Sequence, residues 1–283
     1  MSDTQDVDWT PLILAVAPNG ARKTQADHPA VPISPAEIAA TAAAARAAGA
    51  AMIHLHVRDA DLKHSLDVGA YREATAAVRE AVGEEMIIQV TSEAVGIFTP
   101  EQQMAMVREL RPEAVSLAIR ELVPEGGEEA AREFLAWTVG AGILPQYILY
   151  AAEDVARFGR LQAEGVIPPG PAFLLFVLGR YTAGQRSVPN DLLAFLSEME
   201  AWPEAARLPW AICAFGPKET ACVTAAATLG GHARVGFENN LFLPDGRQAR
   251  DNAELVAASA AAAAAIGRPL ADAATARRLM GAA

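Results

Sequence analysis

The chain has 283 residues, of which 52% are hydrophobic and 20% charged, enough apolar material for a large core and too much for a disordered chain. Its 34 acidic residues outnumber 23 basic ones, a formal net charge of −11, so no general basic field exists to hold a phosphate backbone, which argues against nucleic-acid partners. The longest apolar stretches, such as 257–266 and 173–178, fall short of the roughly 20 residues that span a bilayer, which argues against membrane insertion.

Residues 1–10 carry three Asp and neither a basic n-region nor an apolar h-region. They read as a flexible leader without a secretory signal, placing the protein in the cytoplasm and its single catalytic domain at 11–283. Short apolar runs then recur at 12–17, 52–57, 86–91, 114–119, 143–149, 173–178, 209–214 and 232–237, with starts 23 to 40 residues apart, the footprint of a repeated βα unit. Helix punctuation falls between them. Ser34-Pro35-Ala36-Glu37 supplies an N-cap, a first-turn proline and an N3 glutamate, and Thr99-Pro100-Glu101-Gln102 repeats the pattern. Gly216-Pro217-Lys218-Glu219 opens another helix, and an Ala-rich helix over 252–266 stops at Gly267. Eight such repeats without a long linker predict an α/β protein built as a single (β/α)8 TIM barrel. Neither a Gly-x-Gly-x-x-Gly after the first strand nor a P-loop motif is present. Cys213 and Cys222 fit neither a disulfide framework nor a zinc knuckle and read as buried thiols.

The segment Ile53-His54-Leu55-His56-Val57-Arg58 carries the clearest chemistry. Strand alternation sends Ile53, Leu55 and Val57 to the helices and His54, His56 and Arg58 to the barrel mouth, where two imidazoles converge. The eighth strand, adjacent to the first on ring closure, places Arg234, Gly236 and Glu238 on the same side. His54, His56 and Glu238 thus form a candidate metal site with an open position; the donors suit zinc and leave iron(II), manganese and cobalt open. Histidines merely hydrogen-bonded in the lumen are the plainer reading of the pair. Gln89, Thr91 and Glu93 alternate on strand three, Ser116 and Arg120 on strand four, and Gln146 lies in strand five, positions that serve a site or an internal hydrogen bond equally well. The loop 179–187, with Arg180 and Arg186, reads as an anion dock or a solvated loop, and His28, His64 and His232 read as structural or surface residues.

From about Leu12 to Leu270 the sequence resembles the β-keto acid cleavage enzyme family, the 3-keto-5-aminohexanoate cleavage proteins. The resemblance is carried by Ala17-Pro18-Asn19-Gly20-Ala21, Pro32-Ile33-Ser34-Pro35-Ala36-Glu37-Ile38, Ala48-Gly49-Ala50, His54-Leu55-His56-Val57-Arg58-Asp59, Phe176-Val177-Leu178-Gly179 and Gly230-Gly231-His232-Ala233-Arg234-Val235-Gly236-Phe237-Glu238. It implies a zinc-dependent barrel, usually a homotetramer, that condenses a β-keto acid with acetyl-CoA and yields acetoacetate and a new acyl-CoA. By position, His54, His56 and Glu238 would hold Zn2+ and Arg234 would orient the anionic substrate. The chain departs from the family at its acids: Asn239 stands where an aspartate base is expected, Gln146 where a supporting glutamate is, and Arg22 where a glutamate follows strand one. An amide cannot accept a proton as a carboxylate does, so Glu93, in a turn that reads Thr91-Ser92-Glu93-Ala94-Val95-Gly96, becomes the candidate relocated base. Arg234, Glu93, Asn239 and Gln146 are therefore the candidate catalytic positions, and Thr91, Ser92, Arg58, Arg22 and Arg120 the candidate substrate contacts. The competing functions are a zinc-dependent lyase or hydrolase that needs no CoA, and a barrel that binds a metal or metabolite without catalysis.

Overall fold

The computed structural model describes residues 8–202 and 208–282. The strands are β1 (Leu14–Val16), β2 (Met52–Leu55), β3 (Val57–Arg58), β4 (His64–Ser65), β5 (Ile87–Thr91), β6 (Ala114–Ala118), β7 (Leu144–Leu149), β8 (Phe173–Leu178), β9 (Trp210–Ala214) and β10 (His232–Val235). Eight of them close a parallel barrel in the order β1-β10-β9-β8-β7-β6-β5-β2, with β3 and β4 forming a separate antiparallel hairpin. The (β/α)8 reading therefore holds. Leu14, Val16, Ile53, Leu55, Ile88 and Val90 pack outward in the cluster shared with the helices, while Ile13, Ala15, Met52 and Ile87 belong to a second cluster inside the ring, the division strand alternation demands.

Two predicted strands end early, and both departures shape the site. The run 52–57 stops at Leu55, and Val57 and Arg58 turn off to pair with Ser65 and His64. The side chain of Asp59 accepts from the amides of Asp61 and Lys63, both at 2.9 Å, which closes this turn locally. The run 232–237 stops at Val235 because Gly236 adopts φ +132 and presses on β1: a Cβ there would lie 2.6 Å from the Ala17 carbonyl oxygen. Glu238 consequently projects from a turn above the mouth, not from a strand.

The helix signals are met where they are local. Ser34 and Thr99 complete capping boxes at α1 (Pro35–Ala47) and at the helix Pro100–Leu110. The helix Glu219–Thr228 is instead finished at its C-terminus by the buried Arg268, which donates to the carbonyls of Ala227 and Gly231 at 2.7 Å each. Residues 1–7 of the expected leader lie outside the described residues; Trp9 stacks on the Arg268 guanidinium, whose Nε donates to the Thr10 carbonyl at 2.9 Å. A last helix, Ala273–Met280, covers the N-terminal end of the barrel, its Ala276 and Met280 packing with the lumen cluster. Among the described residues no helix is long and apolar enough to cross a membrane.

Candidate metal and substrate site

Ring closure brings the end of β2 beside the turn after β10. His54 Nε2 lies 3.1 Å from His56 Nε2, and Glu238 Oε2 lies 3.5 Å from the first and 3.7 Å from the second. Whether a proton fills that space is decided by the outer nitrogens. His54 Nδ1 sits 2.8 Å from Gln89 Oε1, and Gln89 is oriented by its own Nε2, which donates to Gln146 Oε1 at 3.2 Å. His54 therefore carries its proton on Nδ1. His64 Nε2 lies 2.9 Å from the Glu93 carbonyl, which can only accept, and burial holds the His64 imidazole neutral, down at about 3. His64 Nδ1 is thus an acceptor, and His56 Nδ1, 3.4 Å away, is the donor to it. Both Nε2 atoms present lone pairs to each other and to a carboxylate oxygen.

Three acceptors with no donor among them are what a divalent cation satisfies. Glu238 Oε2 has no hydrogen-bond partner among the described residues. Burial depresses His54 well below the usual histidine range, with the Arg234 charge acting the same way. Burial would raise Glu238, but the Arg234 guanidinium, followed by His54 and His56, outweighs it and holds the carboxyl well below its usual range. The donor set of two nitrogens and one oxygen therefore fits zinc and related divalent ions.

Around the three side chains, backbone clamps hold the segments that carry them. Asn19 accepts from the His56 amide at 3.2 Å and donates to the His56 carbonyl at 2.9 Å, fixing that ligand's backbone to the exit of β1. Asn252 accepts from Phe237 N at 2.8 Å and donates to the Pro18 carbonyl at 3.1 Å, tying the Glu238 turn to the same exit. Lys23 Nζ donates to the Glu238 carbonyl at 2.7 Å. Under the turn, Glu219 accepts from Gly236 N and from Asn240 Nδ2, while burial pushes its carboxyl up to about 8.

Beside the triad, Arg234 is buried and donates to Glu238 Oε1 at 3.1 Å and to Cys213 Sγ at 3.4 Å; its Nε and Nη1 have no partner among the described residues. The small cavity at the triad is lined by His54, Thr91, Glu93, Tyr150, Arg234 and Glu238. An adjoining cavity of about 240 Å³ is bounded by Arg22, Lys23, Glu93, Arg180 and Glu238. Glu93 faces both. Of the residues expected at the site, Arg234, Glu93, Thr91 and Arg22 line one cavity or the other. Gln146 lies below, bonded to Gln89, the internal hydrogen bond its position also allowed. Ser92 is turned into the wall toward Gln103 and the Ser116 carbonyl. Arg58 reaches back to the Gly20 carbonyl, and Arg120 pairs with Asp154 at 2.8 Å. Asn239 is buried, and its side-chain amide has no partner among the described residues.

Lys23, Tyr150, Asn19, Glu219 and His64 are the residues the strand pattern did not single out. For His64 the available signal was the Asp59-to-Lys63 turn, which folds β4 back onto β3.

The family model for the beta-keto acid cleavage enzyme matches residues 11–281, and the chain belongs to that family. It is 32% identical over 275 residues to the 3-keto-5-aminohexanoate cleavage enzyme of Fusobacterium nucleatum subsp. nucleatum, covering 95% of this chain and 97% of that protein. It is 29% identical over 279 residues to the 3-oxoadipate:acetyl-CoA acetyltransferase of Cupriavidus necator, covering 96% and 95%. Among solved structures, apo ObcA superposes with a TM-score of 0.71 at 18% identity over 89% of this chain; the chain spans 65% of ObcA, and the likeness bears on the fold.

Proposed function

We propose that the protein is a divalent-metal-dependent, and specifically zinc-dependent, acyltransferase that takes a β-keto acid and acetyl-CoA to acetoacetate and a new acyl-CoA. The observation that carries this reading is the convergence of His54 Nε2, His56 Nε2 and Glu238 Oε2, each without a donor, next to a buried guanidinium with unused N–H groups. The names of the relatives supply the acetyl-CoA and the acyl transfer.

A cation held by those three side chains would supply Lewis acidity to the keto oxygen. Arg234 lines the same space, has Nε and Nη1 without partners among the described residues, and would balance the substrate carboxylate and the negative charge that spreads from C2 onto oxygen. Glu93 would take the proton from C2 in place of the amide Asn239, and Tyr150 would close the apolar side. The C2 carbanion would attack the acetyl carbonyl of acetyl-CoA, the C2–acetyl bond forming as the C–S bond breaks; the freed CoA thiolate would add to C3, the C2–C3 bond would break, and C2 would take back the proton held by Glu93, leaving acetoacetate and the new acyl-CoA. The cations Arg22, Lys23 and Arg180 around the adjoining cavity suit the anionic groups of CoA.

A second reading, a lyase or hydrolase that needs no thioester, is favoured by one observation, the loss of both expected acids at Asn239 and Gln146. Incubation of zinc-loaded protein with a panel of β-keto acids, with and without acetyl-CoA, separates the two. Acetoacetate that appears only with acetyl-CoA supports transfer; cleavage at the same rate without it supports the alternative. No product from any keto acid under either condition contradicts both.

A further inference from the structure

We propose that His64 is a positioning residue that ties the ligand His56 to the segment carrying Glu93, so that one imidazole sets both the direction of a metal-binding lone pair and the seat of the carboxylate beside it. This rests on the metal reading above. His64 is delivered to the site by the hairpin of β3 and β4, and it is buried with both ring nitrogens engaged inside the protein. Nδ1 meets His56 Nδ1 at 3.4 Å and Nε2 meets the Glu93 carbonyl at 2.9 Å. Of the two neutral tautomers, only the one protonated on Nε2 serves both contacts at once, because the Glu93 carbonyl can only accept.

Each end of this link is otherwise loose. Without an acceptor at Nδ1, the His56 ring has nothing to keep its proton there, and the proton could move to Nε2 and face the place a cation would take. Around Glu93 the chain is held by Glu93 N donating to Thr91 Oγ1 at 3.1 Å and Ala94 N donating to Glu121 Oε2 at 2.8 Å, but the Glu93 carbonyl is held by His64. A ring that served packing alone would need no particular tautomer. His64 already meets the edge of Phe98, with ring centroids 5.9 Å apart, so a phenyl ring at 64 keeps the shape and removes both hydrogen bonds.

The test compares the wild type with His64→Phe and His64→Asn, each shown to be folded by circular dichroism and thermal melting. Zinc affinity is measured by chelator competition, and imidazole protonation by long-range proton–nitrogen NMR. The Phe variant is expected to bind zinc about 10 to 100 times more weakly. The Asn variant should recover most of the loss in zinc affinity, because its Oδ1 takes the place of the ring Nδ1 and can accept from His56. The wild-type spectrum should place the His64 proton on Nε2 and the His56 proton on Nδ1. A Phe variant that binds zinc as tightly as the wild type, or a His64 proton on Nδ1, overturns this proposal and leaves the metal reading intact. Wild-type protein with no zinc affinity overturns both.

Discussion

At the scale of single residues, the site turns on which groups are charged and which are merely polar. Asn239 and Gln146 retain hydrogen-bonding shape without basicity, whereas Glu93 combines a carboxylate with a position on both cavities. Glu93→Gln is therefore expected to lower turnover by about 10² to 10⁴-fold while zinc binding stays unchanged; a variant with wild-type kcat would remove Glu93 as the base. Arg234→Met, of similar length and uncharged, should weaken keto acid binding and lower kcat together, measured in the same assay.

His232 reports on the opposite end of the barrel. Its Nδ1 accepts from Ile13 N at 2.9 Å, and burial, assisted by Arg268, lowers the imidazole to about 3. The unfolded chain binds this proton near the ordinary pKa of about 6.5 and the folded chain only near 3, so the unfolded state is the more protonated between them. Stability should be full above pH 6.5 and fall as the pH drops toward 3. Chemical denaturation of metal-free protein across that window should show a shallower slope for His232→Gln than for the wild type.

At the scale of elements, the capping boxes and the strand alternation were legible because each is decided within a few residues. Ser34 needs only Glu37, and His54 and His56 share a face because a strand has a period of two. Glu238 was reachable as well, since ring closure must set the eighth barrel strand beside the first. The turn that carries it was not, because Gly236 bends where it meets Ala17, a contact across 219 positions of chain that no local pattern announces. His64 was hidden for a related reason: reading 52–57 as one strand leaves no hairpin to bring it home. Gly236→Ala should cost more than about 1 kcal/mol, since the added methyl meets the Ala17 carbonyl and the Asn252 side chain and φ stays positive. Thermal melting measures that cost, and zinc affinity should fall with it because Glu238 follows two residues later.

At the scale of the whole molecule, both ends of the described chain are fastened to the closed barrel. Glu113 accepts from Arg277 at 2.8 Å and from Arg79 at 2.6 Å, pinning the last helix under β5 and β6. Arg268 gathers the end of the helix Glu219–Thr228 together with Thr10. Arg268→Met would take the guanidinium donor from the buried carbonyls of Ala227 and Gly231 and should destabilise the protein by on the order of 2–4 kcal/mol in denaturant titration. It should do so with the site geometry unaltered in the surviving fold, which zinc affinity would verify.

Such a frame brings one imidazole from the end of β2, another from the residue just beyond it and a carboxylate from a turn nearly two hundred residues later to within a few ångströms. Elemental analysis of protein stripped with chelator, reconstituted with zinc and desalted bears on that arrangement most directly. About one zinc per chain in the wild type, lost in His54→Ala and in Glu238→Gln, is the result predicted. A folded wild-type protein that retains no divalent metal after reconstitution would contradict it.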